Sequence, residues 1–102
     1  MSEIGVNENV LNEIVNVFES YSNIEKAILF GSRAKGGFSL YSDIDIAICG
    51  DVSALEIEEI KCQLDELPFV YVFDVMDYEA IKNPMLRGHI DRVGVVVYET
   101  GK

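Results

Sequence analysis

The chain has 102 residues, 49% of them hydrophobic, which suits one domain with a real core, and nothing in the composition suggests disorder. Eighteen acidic residues against eight basic ones give a net charge of −10, and the lysines and arginines form no cluster. A nucleic-acid backbone calls for a basic stripe, so direct nucleic-acid binding is not expected; small molecules or a protein with a basic face fit better.

In chain order, Val10, Ile14, Val17, Phe18 and Tyr21 recur at helical spacing with polar residues between them. This predicts an amphipathic helix of three to four turns capped by Asn7 or Asn9. Ala27 to Phe30 is a continuous apolar run, expected to be a buried strand stopping at Gly31. Arg33 to Tyr41 reads as loop, opening with a helical turn at most. From Asp43 to Cys49 the pattern alternates, with Ile44, Ile46 and Ile48 on one face and Asp43, Asp45, Ala47 and Cys49 on the other.

Ser53 with Glu56 three residues later is a capping-box pattern, opening a helix whose apolar stripe is Ile57, Ile60, Leu64 and Leu67 and which Pro68 stops. Phe69 to Met76 reads as a central strand with Asp74 near its end. Tyr78 to Arg92 is expected to be helical in two pieces broken around Asn83-Pro84, and Gly94 to Tyr98 to be a last strand. The expected fold class is α/β (α+β): one domain over 1–102, a mixed four-stranded sheet with helices against it. The first two strands, joined by too short a segment for a crossover helix, should be antiparallel neighbours.

Cys49 and Cys62 lack metal-type spacing and are expected to be buried or half-buried free thiols in a reducing compartment. The amino terminus shows no basic region followed by an apolar one, and no stretch reaches membrane-spanning length, so no membrane partner is expected and the expected location is cytoplasmic.

The chemistry concentrates in one constellation: Gly31-Ser32, ten residues, then Asp43-Ile44-Asp45. A glycine-serine, ten-residue, D-x-D pattern should arise by chance in roughly one random hundred-residue chain per thousand, so it outweighs a lone D-x-D, which is more often a solvated strand face. Asp43 and Asp45, two apart on a strand, project from one face at a spacing suited to a hard cation. Asp74, on another strand, is placed to complete an acidic trio. A few carboxylates, waters and phosphate oxygens suit Mg²⁺, and two such ions can clamp the attacking and leaving oxygens at phosphorus. Gly31 and Ser32 offer a close backbone approach and N–H groups for phosphate, with Arg33 and Lys35 adding charge nearby.

These residues resemble the signature of the DNA-polymerase-beta-like nucleotidyltransferase superfamily, and the chain over about 8–99 resembles its minimal nucleotidyltransferase (MNT) branch. Phe73-Asp74-Val75-Met76-Asp77 is similar to the strand carrying the third acid, and Asn83-Pro84-Met85-Leu86-Arg87 with Gly94 to Glu99 is similar to the usual close of such chains. The resemblance implies a nucleotidyltransferase fold in which Asp43 and Asp45 hold metal, and Asp74 holds the second ion and helps activate the attacking hydroxyl. Gly31, Ser32 and Arg33 would position the triphosphate.

It implies further an Mg²⁺-dependent transfer of NMP, AMP from ATP, to an acceptor hydroxyl. MNT proteins pair with a small helical HEPN toxin, so the implied role is an antitoxin that modifies a tyrosine of that partner in a hetero-oligomer; a homo-oligomer is also open. The chain departs from the pattern at Phe38-Ser39-Leu40-Tyr41, where relatives often carry Arg or Lys and a small residue. That departure motivates the alternative of a catalytically weak module that neutralises a HEPN protein by binding alone. Transfer to a small molecule such as an aminoglycoside is a third reading, disfavoured because those enzymes resemble the chain only in its core. His89, the one histidine, is expected on a solvent-facing helix turn, and Tyr71, Tyr78 and Tyr98 are expected to pack.

Overall fold

The structure, a computed structural model, describes residues 8–30, 44–67 and 72–100. Its elements run α1 (Glu8–Glu19), β1 (Ile24–Phe30), β2 (Ile44–Gly50), α2 (Ala54–Asp65), β3 (Phe73–Asp77), a 3₁₀ turn (Tyr78–Ala80), α3 (Pro84–Val93) and β4 (Val95–Glu99). The strands form one sheet in the order β3-β2-β1-β4. β1 pairs antiparallel with both β2 and β4, as the short connection between β1 and β2 requires, while β2 and β3 are parallel, joined through α2. The sheet is therefore mixed, as expected.

Each face of the sheet has its own cover. On one side α1 sets Val10, Ile14, Val17 and Phe18 against the sheet, and α2 sets Ile57, Ile60 and Leu64 beside them. The inward side chains of Ile44, Ile46 and Ile48 from β2 and Phe73 and Val75 from β3 complete this core. The other face is covered by α3, where Ile90 packs with Phe30 and Ala47, flanked by Ile28, Met76 and Leu86. Period-two alternation in β2 thus separates two apolar layers, and the second stops short of Asp45.

Local chemistry fixes the helix ends. Ser53 accepts from the Glu56 backbone N–H at 3.1 Å, and the Glu56 carboxylate accepts from the Ser53 N–H at 2.9 Å, the reciprocal capping box read from the sequence. The Asn23 side-chain amide donates to both Glu56 carboxylate oxygens, at 2.9 and 3.0 Å, and to the Asp51 carbonyl, tying the start of α2 to the turn before β1. Ser53→Ala should cost about 1 kcal/mol of unfolding free energy, measured by urea denaturation. Asn83 caps α3 through the Met85 N–H at 2.9 Å, with Pro84 in the first turn, so the expected break in this segment lies at Asn83-Pro84. Gly50 sits at φ 140°, where a Cβ would collide with the Asn23 carbonyl, so glycine is required at the end of β2.

The Glu56 carboxyl is held below its usual value of 4.5, chiefly by the Ser53 backbone N–H and then by Asn23. A carboxylate favoured by folding contributes stability that is complete above its unfolded pKa and is lost as pH falls through its folded pKa. Glu56→Gln keeps a cap-competent side chain but removes the charge. The variant should melt below wild type at pH 7, and the gap should close between about pH 5 and pH 3, followed by thermal unfolding at each pH.

Several expectations need correction. β3 is an edge strand rather than a central one, because the parallel crossover places it outside β2 while β1 occupies the inner side. Asp74 is consequently its second residue, near the start of the strand, which runs on to Asp77. β1 begins at Ile24, earlier than the apolar run, because Lys26 pairs with Cys49 and Glu99 at the sheet's end. Asn9 lies inside α1 and does not cap it. Cys62 is exposed, on the outer face of α2, and Cys49 is half-buried; both are free thiols. Burial pushes the Cys49 thiol up, opposed by Lys26. Asn7, Pro68 and the 69–71 part of the expected third strand lie outside the described residues. No described helix is long and apolar enough to cross a membrane.

Candidate active site

The parallel register of β2 and β3 pairs Ile44 with Phe73, Asp45 with Asp74, Ile46 with Val75 and Ala47 with Met76. Residues level with each other on adjacent strands point to the same face and lie about 4.8 Å apart at the backbone. Ile44, Ile46, Phe73 and Val75 all enter the core on the α1–α2 side, so Asp45 and Asp74 must project together from the other side. On β1 the residue level with Asp45 is Phe30. One row across the sheet therefore reads Phe30, Asp45, Asp74, from an apolar ring to two carboxylates, the second on the edge strand.

The next row inward, Ile28, Ala47 and Met76, is covered by α3, which leaves the acidic row at the rim of the apolar layer. Asp45 is half-buried and Asp74 exposed. Asp74 has no ion pair among the described residues. Two carboxylates this close repel, and a shared cation relieves the repulsion.

Of the residues singled out in the sequence, Asp45 and Asp74 are brought together. Asp43, Gly31, Ser32, Arg33 and Lys35 lie outside the described residues, as do Phe38 to Tyr41 and Tyr71. Among the described residues no three His, Cys, Asp or Glu side chains form a metal-ligating group. Asp45 and Asp74 alone supply two hard oxygen donors, the set that suits Mg²⁺ when water and phosphate oxygens fill the remaining positions. Asp43, two residues before Asp45 in the chain, would be the third.

The back of α3 is held by a polar cluster. The Tyr78 hydroxyl donates to an Asp91 carboxylate oxygen at 2.8 Å, and the Arg87 guanidinium lies 4.5 Å from the Tyr78 ring centre. The hydrogen bond to Asp91 pushes the Tyr78 phenol up. Tyr98 packs on Phe18 with ring centres 5.9 Å apart. Tyr78 and Tyr98 therefore pack, as expected. His89 does not face solvent freely: it is half-buried, its ring edge-on to Phe30 with centres 6.5 Å apart and planes at 79°. Helical periodicity alone gave no signal for this contact, since it depends on how α3 crosses the sheet.

A mixed sheet with an acidic row at one end, backed by helices on both faces, is the frame of a nucleotidyltransferase. Residues 12–102 match the family described as polymerase beta, nucleotidyltransferase, and the chain belongs to that family. A provisionally named protein adenylyltransferase of Methanocaldococcus jannaschii is 49% identical over 47 residues, covering 44% of this chain and 47% of that protein. The chain thus spans about half the length of the relative it matches.

Among solved structures, a toxin–antitoxin crystal structure with AMP-PNP superposes with a TM-score of 0.73 at 21% identity, over 94% of this chain and 76% of that one. A tri-AMPylated Shewanella oneidensis HEPN toxin in complex with an MNT antitoxin gives 0.70 at 19% identity, over 91% and 72%. At these identities the likeness is one of fold.

Proposed function

We propose that this chain is an Mg²⁺-dependent nucleotidyltransferase that moves AMP from ATP to an acceptor hydroxyl, a tyrosine of a small helical HEPN partner, and so acts as an antitoxin. The observation that carries the reading is the pairing of Asp45 with Asp74 across the parallel strands β2 and β3. Family membership, the adenylyltransferase name of the Methanocaldococcus relative and the toxin–antitoxin complexes that share the fold support it.

In this reading Asp45 and Asp74, with Asp43, hold the metal; Gly31, Ser32, Arg33 and Lys35 receive the triphosphate. Bound Mg²⁺ would supply charge stabilisation to the transferred phosphoryl group and the leaving pyrophosphate. Asp74, exposed on the edge strand, is where an acceptor carried by another polypeptide can reach. A carboxylate oxygen of Asp74 accepts the proton of the attacking hydroxyl, as a general base must. The acceptor oxygen bonds to the α-phosphorus, the bond from that phosphorus to the α–β bridging oxygen breaks, and pyrophosphate leaves. The proton passes from Asp74 to solvent.

The net charge of −10 favours a partner with a basic face. The test is intact-mass analysis of the HEPN partner after incubation with this chain, ATP and Mg²⁺, where an AMP-sized increase on the partner is expected. No increase, together with full neutralisation of the partner by Asp45→Asn/Asp74→Asn, would favour the binding-module reading instead.

A further inference from the structure

We infer that His89 is a nucleotide-contacting residue: its ring donates an N–H to a phosphate oxygen of the bound nucleoside triphosphate, and the α3 flank that carries it forms one wall of the nucleotide site. The inference rests on the nucleotidyl-transfer reading and adds to it a residue outside the Gly31–Asp45 signature. The position comes from two linked contacts. The His89 ring stands edge-on against Phe30, and Phe30 is the residue level with Asp45 on the neighbouring strand. Across the α3 side of the sheet the order is therefore His89 over Phe30, then Asp45, then Asp74.

The state of the ring leaves it open to a ligand. His89 is half-buried, and among the described residues neither ring nitrogen has a hydrogen-bond partner. A half-buried ring still reaches solvent, so both nitrogens stay available, and a ring held in place by an apolar contact can donate to a ligand that enters beside Phe30. The nearby charge favours an anion. Arg92, one turn further along α3, has no ion pair among the described residues, and its guanidinium lies where it would be 3.4 Å from a Cβ at Gly88. A chain with 18 acidic residues thus carries, on the helix that borders its carboxylate row, two hydrogen-bond donors without acceptors among the described residues. A triphosphate lying beside Asp45 and Asp74 is favoured by donors of this kind on the adjoining helix.

The test compares the Kd for ATP in the presence of Mg²⁺, by isothermal titration calorimetry, for wild type, His89→Ala and His89→Gln, with each variant's Tm measured without nucleotide. Losing one hydrogen bond to a charged group should weaken binding by about tenfold in His89→Ala. His89→Gln keeps an N–H donor and should recover most of that loss. In turnover assays the Ala variant should raise KM for ATP with kcat changed less than about threefold. If wild type and His89→Ala bind ATP equally, or if both variants lose Tm without losing affinity, His89 only packs on Phe30 and the assignment is overturned. If wild type itself does not bind ATP, the nucleotidyl-transfer reading fails and takes this assignment with it.

Discussion

Asp74→Asn should lower the rate of AMP transfer by about 10³-fold or more while leaving Tm no lower than wild type. In the proposed function the rate loss has two sources. General-base assistance is worth about 10²–10⁴-fold, and a lost metal ligand removes several kcal/mol of charge stabilisation, each 1.36 kcal/mol being tenfold. The preserved stability follows from Asp74 standing exposed opposite Asp45, without an ion pair among the described residues, so neutralising it relieves repulsion. Asp45→Asn should show a comparable kinetic loss. Single-turnover rates with saturating ATP, set beside thermal melts of the same samples, check both statements. A rate within threefold of wild type for Asp74→Asn would remove Asp74 from the chemistry.

The largest stability effect is expected at Phe18. Its side chain is fully buried at the end of α1, inside the core that α1 and α2 build on the sheet, and it packs on Tyr98 of β4. Phe→Ala in such a site typically costs 3–5 kcal/mol from lost burial and the cavity left behind. For a domain of this size each kcal/mol moves Tm by about 4–8 °C, so Phe18→Ala should melt at least 12 °C below wild type. Leu55→Ala is the matched control: Leu55 is 70% exposed, and the change should stay within about 0.5 kcal/mol. Differential scanning calorimetry of the two variants distinguishes the outcomes.

The legible parts of the fold were those set by local pattern. Alternation at Ile44, Ile46 and Ile48 named the core face of β2, and Ser53 with Glu56 named the start of α2. Asn83-Pro84 marked the start of α3 because proline cannot continue a preceding helix but opens a new one. What the pattern could not carry was long-range geometry. Phe69 to Met76 looks central because it is rich in Val, Phe and Tyr, yet an apolar strand buried on one face, as Phe73 and Val75 are, can equally stand at an edge under a helix. The edge placement of Asp74, the reach of His89 to Phe30 and the Asn23 link to Glu56 all depend on how separate elements meet. For the candidate site, residue types and spacing single out Asp45 and Asp74, but only the strand pairing sets them level.

That pairing makes competence a readout of folding fidelity. A slip of a single residue between β2 and β3 would turn Asp74 to the opposite face, into the space that Phe73 and Val75 fill, and expose those two apolar side chains. The misaligned chain would lose its buried layer and its acidic row in the same step. Nature of the error would not matter: a protein shifted by one position is both unstable and inert, so quality control by solubility doubles as quality control of chemistry.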